Sequence, residues 1–120
     1  GVQASAAPAA YLSWKGGRIV EAKMETGAEG LATGVGFGLT QDVMGELLDD
    51  FILVSEDELA RAVVTHLQST HNLMEHAGAA SLAAAVKLGA QLQGKKVVLV
   101  ASGGNITVEQ LTAALAIGVG

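Results

Sequence analysis

The residues with the clearest chemical potential form the run Ser102-Gly103-Gly104-Asn105, which follows a continuous apolar stretch. Glycine and asparagine are general turn formers, so such a run is by itself most often an ordinary turn between a strand and a helix. At the carboxyl end of a buried parallel strand, however, loop backbone and helix N-termini converge on ligands. The run therefore predicts a plain turn or a ligand loop, and its setting decides between them.

The other polar candidates are weaker on their own. Glu29 lies in a glycine-rich stretch, where a solvated loop carboxylate is the ordinary interpretation. The three histidines, His66, His71 and His76, follow one another at intervals of five residues. Metal ligands on one helix face need intervals of three or four. The histidines therefore do not predict a zinc site.

The second half of the chain contains the elements that must position these residues. Residues 51–54 form a short apolar run typical of a buried strand, and Ser55 with Glu58 then fits a capping box that starts a helix ending near Asn72. Residues 77–92 are rich in alanine and predict a second helix. Its expected buried stripe is Leu82 and Val86 with Ala79 and Ala83.

Residues 97–101 are continuously apolar and rich in β-branched side chains, which predicts a central strand covered on both faces. Two strands separated by helices imply a right-handed crossover and a parallel sheet. After the glycine loop, Thr107 and Gln110 repeat the capping-box pattern for a terminal helix. We therefore expect an α/β fold with a partial parallel sheet and helices on both of its faces.

The first half is less regular. Residues 8–14 suit a helix with Pro8 in its first turn, which Gly16 and Gly17 should end. Residues 26–38 hold too many glycines for a regular element and predict an irregular loop, and helix returns over about 40–48. Neither an internal repeat nor a linker is visible, so residues 1–120 are expected to form one domain.

Composition excludes several classes of function. The 120 residues are 50% hydrophobic, which favours a packed core. The net charge of −5 leaves no basic stripe for nucleic acid, and no apolar run approaches the roughly 20 residues that span a membrane. Without cysteine there is no disulfide or thiolate metal site, and we expect a cytoplasmic protein. The start at Gly1, without methionine, suggests a chain cut from a larger one.

Several segments together resemble the serine and threonine dehydratases of the tryptophan-synthase-β-like group of pyridoxal-phosphate enzymes. The resemblance is collinear over most of the chain, and its order and spacing are more specific than any one piece. It covers Ala7 to Lys15, Ala28 to Ala32, Asp49-Asp50, Val54 to Glu58, Thr70 to Glu75, Ala77 to Ala80 and Ser102 to Asn105. The fold that it implies is the C-terminal part of the cofactor domain of a fold-type II enzyme.

The resemblance also implies roles for individual residues. Ser102 would donate a hydrogen bond to the pyridine nitrogen of pyridoxal phosphate, with Gly103, Gly104 and Asn105 in the same loop. The backbone of Ala28, Glu29 and Gly30 would lie beside the cofactor ring, and Glu75 near it. A hydroxyl suits a neutral ring nitrogen, whereas a carboxylate would favour the protonated ring. The implied reaction is β-elimination from an amino-acid substrate to a 2-keto acid and ammonia.

Some family features are missing. The family's Schiff-base lysine lies in a Ser-x-Lys-x-Arg-Gly context that none of the five lysines has, and the alternating glycines of residues 34–38 do not form the phosphate-binding glycine run. No catalytic residue is therefore assigned in this chain. The acidic metal ligands of some members are replaced by Gln3 and Ala9, so no metal is expected.

Three functions remain open on this evidence. The chain is a portion of an ammonia-lyase whose N-terminal half supplies the lysine and the phosphate site, a non-enzymatic stand-alone domain used for binding or assembly, or part of a related synthase or racemase. The implied partners are the missing N-terminal half and an amino-acid substrate. Faces that the missing half would cover should also promote self-association into homo-oligomers.

Overall fold

The chain forms two short strands and five α-helices within residues 1–118, the residues that the computed structural model describes. In chain order these elements are β1 (Val2–Ala4), α1 (Ala9–Gly16), α2 (Gly38–Leu47), β2 (Ile52–Val54), α3 (Glu56–Thr70), α4 (His76–Leu88) and α5 (Val108–Gly118). Short 3-10 turns cover Glu29–Leu31 and Gly89–Leu92. No helix within this part of the chain is long and apolar enough to cross a membrane.

The sheet is parallel, as predicted, but one of its two strands is not the one expected. β1 pairs with β2 in the register Val2 to Ile52, Gln3 to Leu53 and Ala4 to Val54. Val54 is fully buried, while Ile52 and Leu53 are half-buried. The predicted strand at 51–54 is therefore confirmed, and its partner is the start of the chain, where no strand was expected.

The predicted central strand at 97–101 is wrong for this chain. Residues 97–101 have no regular secondary structure, and Val98 and Val100 are 91% and 70% exposed. A strand must satisfy its N–H and C=O groups by pairing with a neighbour. Within residues 1–118 no strand lies beside this segment, although the Ser81 hydroxyl donates to the Val100 carbonyl at 2.9 Å.

Helix α3 begins as its sequence predicts. The Ser55 N–H donates to the Glu58 carboxylate at 2.7 Å, and the Glu58 N–H donates to the Ser55 hydroxyl at 3.2 Å. These two bonds satisfy donors that a helix start leaves without intrahelical partners. The helix ends at Thr70, followed by His71 in the left-handed region with φ of 57°. Leu59, Val63 and Val64 are buried in the core.

Helix α4 packs against α3 and the sheet through small side chains. The fully or almost fully buried residues of α4 include Ala79, Ala80, Ala83 and Ala84. The predicted stripe is thus confirmed at Ala79 and Ala83 and wrong at Val86, which is 68% exposed. Val86 lines an open cleft of about 280 Å³ between α3 and α4, instead of the closed part of their interface.

The remaining elements follow the predictions closely. α1 ends where expected, with Gly17 as its left-handed C-cap at φ of 62°. Residues 26–37 are irregular apart from the 3-10 turn and an isolated antiparallel bridge of Val35 with Glu21, and α2 starts two residues earlier than predicted. α5 has the expected reciprocal cap, in which the N–H groups of Thr107 and Gln110 each donate to the other's side chain at 3.0 and 3.1 Å.

One side-chain network joins α3, α4 and the sheet. Lys87 on α4 donates to the Leu53 carbonyl at 3.0 Å and to the Glu58 carboxylate at 3.1 Å. Burial tends to raise the pKa of Glu58, but the Ser55 N–H and Lys87 outweigh it and hold that pKa below the ordinary value of 4.5. A carboxyl group with a lowered pKa in the folded state stabilises the fold above its unfolded pKa.

We predict that Lys87→Met lowers the free energy of unfolding by about 0.5–1 kcal/mol at pH 7, because the ion pair is partly exposed. This loss of unfolding free energy should become smaller as the pH falls through the folded pKa of Glu58. At low pH only the loss due to the missing hydrogen bond to the Leu53 carbonyl should remain. Urea unfolding from pH 7 to pH 3 measures this dependence. Lys96→Met, at an exposed position, is the control; a deficit for Lys87→Met that does not change with pH would contradict the role of Glu58.

Candidate functional site

The loop that contains Ala28, Glu29 and Gly30 is held by the first residue of α3. The two carboxylate oxygens of Glu56 accept hydrogen bonds from the Thr26 hydroxyl at 2.6 Å and from the Gly27 N–H at 2.9 Å. The Thr26 hydroxyl oxygen in turn accepts the Ala28 N–H at 3.0 Å. Ala28 is almost fully buried as a result. Glu56 therefore fixes the loop at the start of the 3-10 turn.

The start of α4 lies against this loop. An added Cβ at Gly30 would lie 2.9 Å from the Cβ of Ala77, so the 3-10 turn touches the first turn of α4. Glu75 is the N-cap residue of α4, and its own backbone N–H donates to the Gly103 carbonyl at 3.1 Å. The start of α4 is thus in contact with two of the segments that the sequence singled out.

Three glycines allow the segment of Ser102 to Asn105 to approach the start of α4. An added Cβ at Gly78 would overlap the Gly103 carbonyl oxygen, and one at Gly103 would overlap Oε1 of Glu75. A further methyl group at Gly104 would lie 2.6 Å from the Leu73 carbonyl oxygen. Glycine is used where backbone approaches this closely. The glycines of this loop are therefore explained by their packing against the start of α4 and the residues just before it.

These contacts bring most of the predicted site residues together. Ala28, Glu29, Glu75 and Asn105 line one crevice, along with residues that sequence reasoning did not assign to a site: Gly27, His76, Ala77 and Gln110. The sequence did contain signals for two of them, since Ala77 begins a family segment and Gln110 belongs to the predicted cap. The crevice has a volume of only about 10 Å³, near the smallest space that holds one water molecule.

Ser102 lies outside this crevice. Its side chain is exposed, and the residue directly precedes Gly103, which contacts Glu75. The expected setting of Ser102 at the mouth of a buried strand is wrong for this chain, because residues 97–101 form no strand. The next residue, Gly103, is nevertheless held in place, because its carbonyl accepts the hydrogen bond from the Glu75 N–H. Ser102 is thus close in sequence to a residue that lines the crevice, Asn105, but Ser102 itself does not line it.

The crevice has no lysine among the residues that line it. Lys87 is bound to Glu58 and Leu53, and Lys23 pairs with Glu25 at 3.3 Å. Lys15 donates to the Tyr11 hydroxyl at 3.0 Å, and this hydrogen bond raises the pKa of the fully exposed Lys15 ammonium. A nucleophilic lysine needs the opposite shift, because only the neutral amine reacts.

The residues expected at the metal-ligand positions have other roles. Gln3 is 4% exposed, its amide donates to the Thr33 hydroxyl at 2.9 Å, and its carbonyl accepts the Tyr11 N–H at 2.9 Å. Ala9 is fully buried and has no ligating atom in its side chain. No group of three or more histidines or carboxylates within residues 1–118 could hold a metal ion. The donor set of this chain therefore does not fit a metal at these positions.

Larger clefts exist elsewhere. One of them, with a volume of about 550 Å³, lies beside the edge-to-face cluster that Phe51 forms with Tyr11 and Trp14. Cleft size alone would favour that location. None of the segments that converge on the crevice lines this cleft, so cleft size and the convergence of the predicted segments favour different locations. We give more weight to the convergence, because it brings together three segments that lie far apart in the sequence.

Comparison with known proteins shows which family has these segments. The family model described as pyridoxal-phosphate dependent enzyme matches residues 1–103. An L-threonine ammonia-lyase of Geobacter sulfurreducens is 38% identical over 113 residues, which are 93% of this chain and 28% of that protein. The processed form of threonine deaminase isoform 2 from Solanum lycopersicum superposes with a TM-score of 0.89 at 27% identity. The superposition covers 98% of this chain and 35% of the deaminase chain.

A serine racemase from Dictyostelium discoideum is also similar, with a TM-score of 0.77 and 31% identity over 88% of this chain and 34% of its own. The chain belongs to the family of pyridoxal-phosphate-dependent enzymes. Its fold is that of part of a threonine deaminase or serine racemase. It spans about 28% of the length of the curated ammonia-lyase that it matches. The resemblance seen in the sequence is confirmed.

The residues at the crevice could hold a cofactor from one side only. The glycine loop and the loop at Ala28 both contact the start of α4 and line one crevice. Backbone groups and the carboxylates of Glu29 and Glu75 line the crevice, but its volume of about 10 Å³ is too small for a cofactor ring. No lysine or glycine-rich phosphate loop lies at the crevice, so covalent attachment and phosphate binding must come from residues outside the crevice.

We predict that Glu56→Gln loosens the loop, because an amide nitrogen cannot accept the second of the two hydrogen bonds that the carboxylate accepts. The loss should be about 1 kcal/mol in local opening free energy, since the bonds are charge-assisted but partly exposed. Faster hydrogen exchange of the Gly27 and Ala28 amides measures it. Glu109→Gln, in the first turn of α5, is the matched control. Equal exchange in both variants would show that Glu56 does not hold the loop.

Proposed function

We propose that this chain is the portion of a pyridoxal-phosphate-dependent ammonia-lyase that carries one flank of the cofactor site. The observation that carries the proposal is the convergence of the Ala28-Glu29 loop, Glu75 and the loop of Ser102 to Asn105 on the start of α4. The substrate is an amino acid with a β-hydroxyl group, as the name of the Geobacter relative suggests. The reaction is elimination to a 2-keto acid and ammonia.

In this proposal Ser102 donates a hydrogen bond to the pyridine nitrogen, and the backbone of Ala28 to Gly30 lies along the ring. Glu75 supports the site from the helix start and contacts the loop at Gly103. Pyridoxal phosphate, when bound, supplies the electron-withdrawing ring that such eliminations need. The contribution of this chain is to orient the ring and to set the protonation state of its nitrogen.

The proposed partner is a polypeptide segment that supplies the Schiff-base lysine and the phosphate site. Support comes from the share of the relative that this chain spans, 28%, and from the exposed apolar residues at 97–100, which a neighbouring strand could cover. Homo-oligomeric assembly and a cytoplasmic setting belong to the same proposal. A racemase activity is the second candidate, because the Dictyostelium serine racemase has the same fold at 31% identity.

A segment exchange tests the proposed function. The matching segment of the Geobacter sulfurreducens ammonia-lyase is replaced by this chain, and the purified chimera is assayed for ammonia and 2-oxobutanoate from L-threonine and for inversion of L-serine. We expect ammonia release that depends on pyridoxal phosphate. A chimera that folds and binds the cofactor but shows inversion alone would favour the racemase, and one that binds no cofactor would contradict the proposal.

Substitutions at Ser102 in that chimera test its assigned role. Ser102→Ala should weaken cofactor binding by up to about tenfold, the equivalent of one neutral hydrogen bond. Ser102→Asp should shift the absorption of the bound cofactor and slow elimination further, because a carboxylate favours the protonated ring nitrogen. Ser69→Ala, on the exposed side of α3, is the control. An unchanged spectrum and rate for Ser102→Asp would remove Ser102 from the site.

The isolated chain should not become labelled at one defined lysine. After incubation with pyridoxal phosphate and borohydride reduction, peptide mapping should show only scattered, substoichiometric modification, since the ammonium of Lys15 is held protonated and Lys87 is engaged with Glu58. Stoichiometric labelling of a single lysine would contradict the proposal that another segment supplies the Schiff-base lysine.

A further inference from the structure

A second cleft lies between the end of α1 and the start of α2, and it shares no residue with the candidate crevice. Its volume is about 250 Å³. Arg18 lines it from the turn after α1 and Asp42 from α2, while Trp14 and Ile19 supply apolar surface. The residues around the cleft thus include one with a positive and one with a negative side chain.

Most other polar groups of this cleft are already engaged, but the side-chain carbonyl of Gln41 is buried and has no hydrogen-bond partner within residues 1–118. The Ser13 hydroxyl donates to the Ala9 carbonyl at 2.7 Å and accepts the Val20 N–H at 2.9 Å. The indole N–H of Trp14 donates to the Met44 carbonyl at 3.2 Å. Arg18 and Asp42, in contrast, are exposed, and neither takes part in an ion pair within residues 1–118. Arg18 and Asp42, together with the Gln41 side-chain carbonyl, are therefore available to a ligand.

The wall formed by α2 leaves room beside these charges. An added Cβ at Gly38 or Gly45 would meet no atom within 4 Å, so this side of the cleft is open backbone. Ile19 is 50% exposed, which leaves aliphatic surface for a ligand to cover. The volume is below the roughly 300–1,000 Å³ of pockets that hold drug-sized ligands. The space suits a small metabolite.

We propose that this cleft binds a zwitterionic α-amino acid with a small aliphatic side chain. The carboxylate of the ligand accepts hydrogen bonds from the Arg18 guanidinium, and its ammonium group donates to the Asp42 carboxylate. Its aliphatic side chain covers Ile19 and Trp14. One charge of each sign on opposite elements selects a zwitterion over a simple anion or cation. The site is separate from the crevice and does not depend on the proposed function.

The test uses the 120-residue chain and three probes that differ in charge. L-Valine carries both groups, 3-methylbutanoate lacks the ammonium group, and 2-methylpropan-1-amine lacks the carboxylate. Trp14 is the only tryptophan in the sequence, so its indole N–H gives a single nuclear magnetic resonance signal. We expect saturable shifts with L-valine at a dissociation constant of about 1 mM, as for ligands of so few atoms. Each singly charged probe should bind at least about fivefold more weakly.

Variants assign the effect to the two charges. Arg18→Gln and Asp42→Asn should each weaken L-valine binding at least about fivefold, whereas the exposed controls Arg61→Gln and Asp57→Asn should leave it unchanged. Gly45→Leu fills the cleft from the open side of α2 and should abolish binding without unfolding the chain. The proposal is overturned if L-valine gives no saturable shift, if the singly charged probes bind equally well, or if Gly45→Leu binds as the unchanged chain does.

Discussion

The close approach of Gly78 on α4 to the backbone of Gly103 is the constraint on which the candidate site depends. There is no room for a methyl group between them, and the Glu75 N–H donates to the Gly103 carbonyl one turn earlier. This contact attaches the glycine loop to a helix that is itself fixed by its alanine packing against α3. The loop follows an exposed segment that has no strand partner in residues 1–118, so its position depends on this contact.

The same helix start also receives the loop at Ala28, which Glu56 holds from the neighbouring helix. The site therefore consists of two loops that a single helix N-terminus keeps in contact. Neither loop contributes a nucleophile, and their shared crevice is too small for a cofactor. This geometry agrees with a chain that spans 28% of the related ammonia-lyase and provides one flank of a larger site.

Local interactions could be predicted from the sequence, and long-range ones could not. Both capping boxes, at Ser55 with Glu58 and at Thr107 with Gln110, formed as predicted, because their partners are three residues apart. The segment 97–101 has every local feature of a buried strand, but strand formation needs a neighbour. Val86 likewise has the correct helical spacing, yet it lines an open cleft. Family resemblance identified four of the residues at the crevice, Ala28, Glu29, Glu75 and Asn105, whereas the exposed position of Ser102 follows from the strand that does not form.

Replacing single helical glycines by alanine tests the central contact most directly. Hydrogen exchange of the Glu75 amide is measured in Gly78→Ala and in Gly45→Ala, whose added Cβ meets no atom within 4 Å. Our account predicts that Gly78→Ala separates the loop from α4, removes protection from the Glu75 amide and destabilises the fold. Gly45→Ala should leave that amide protected and add about 0.5–1 kcal/mol of stability through helix propensity. Equal protection and a similar gain in stability in both variants would contradict the account.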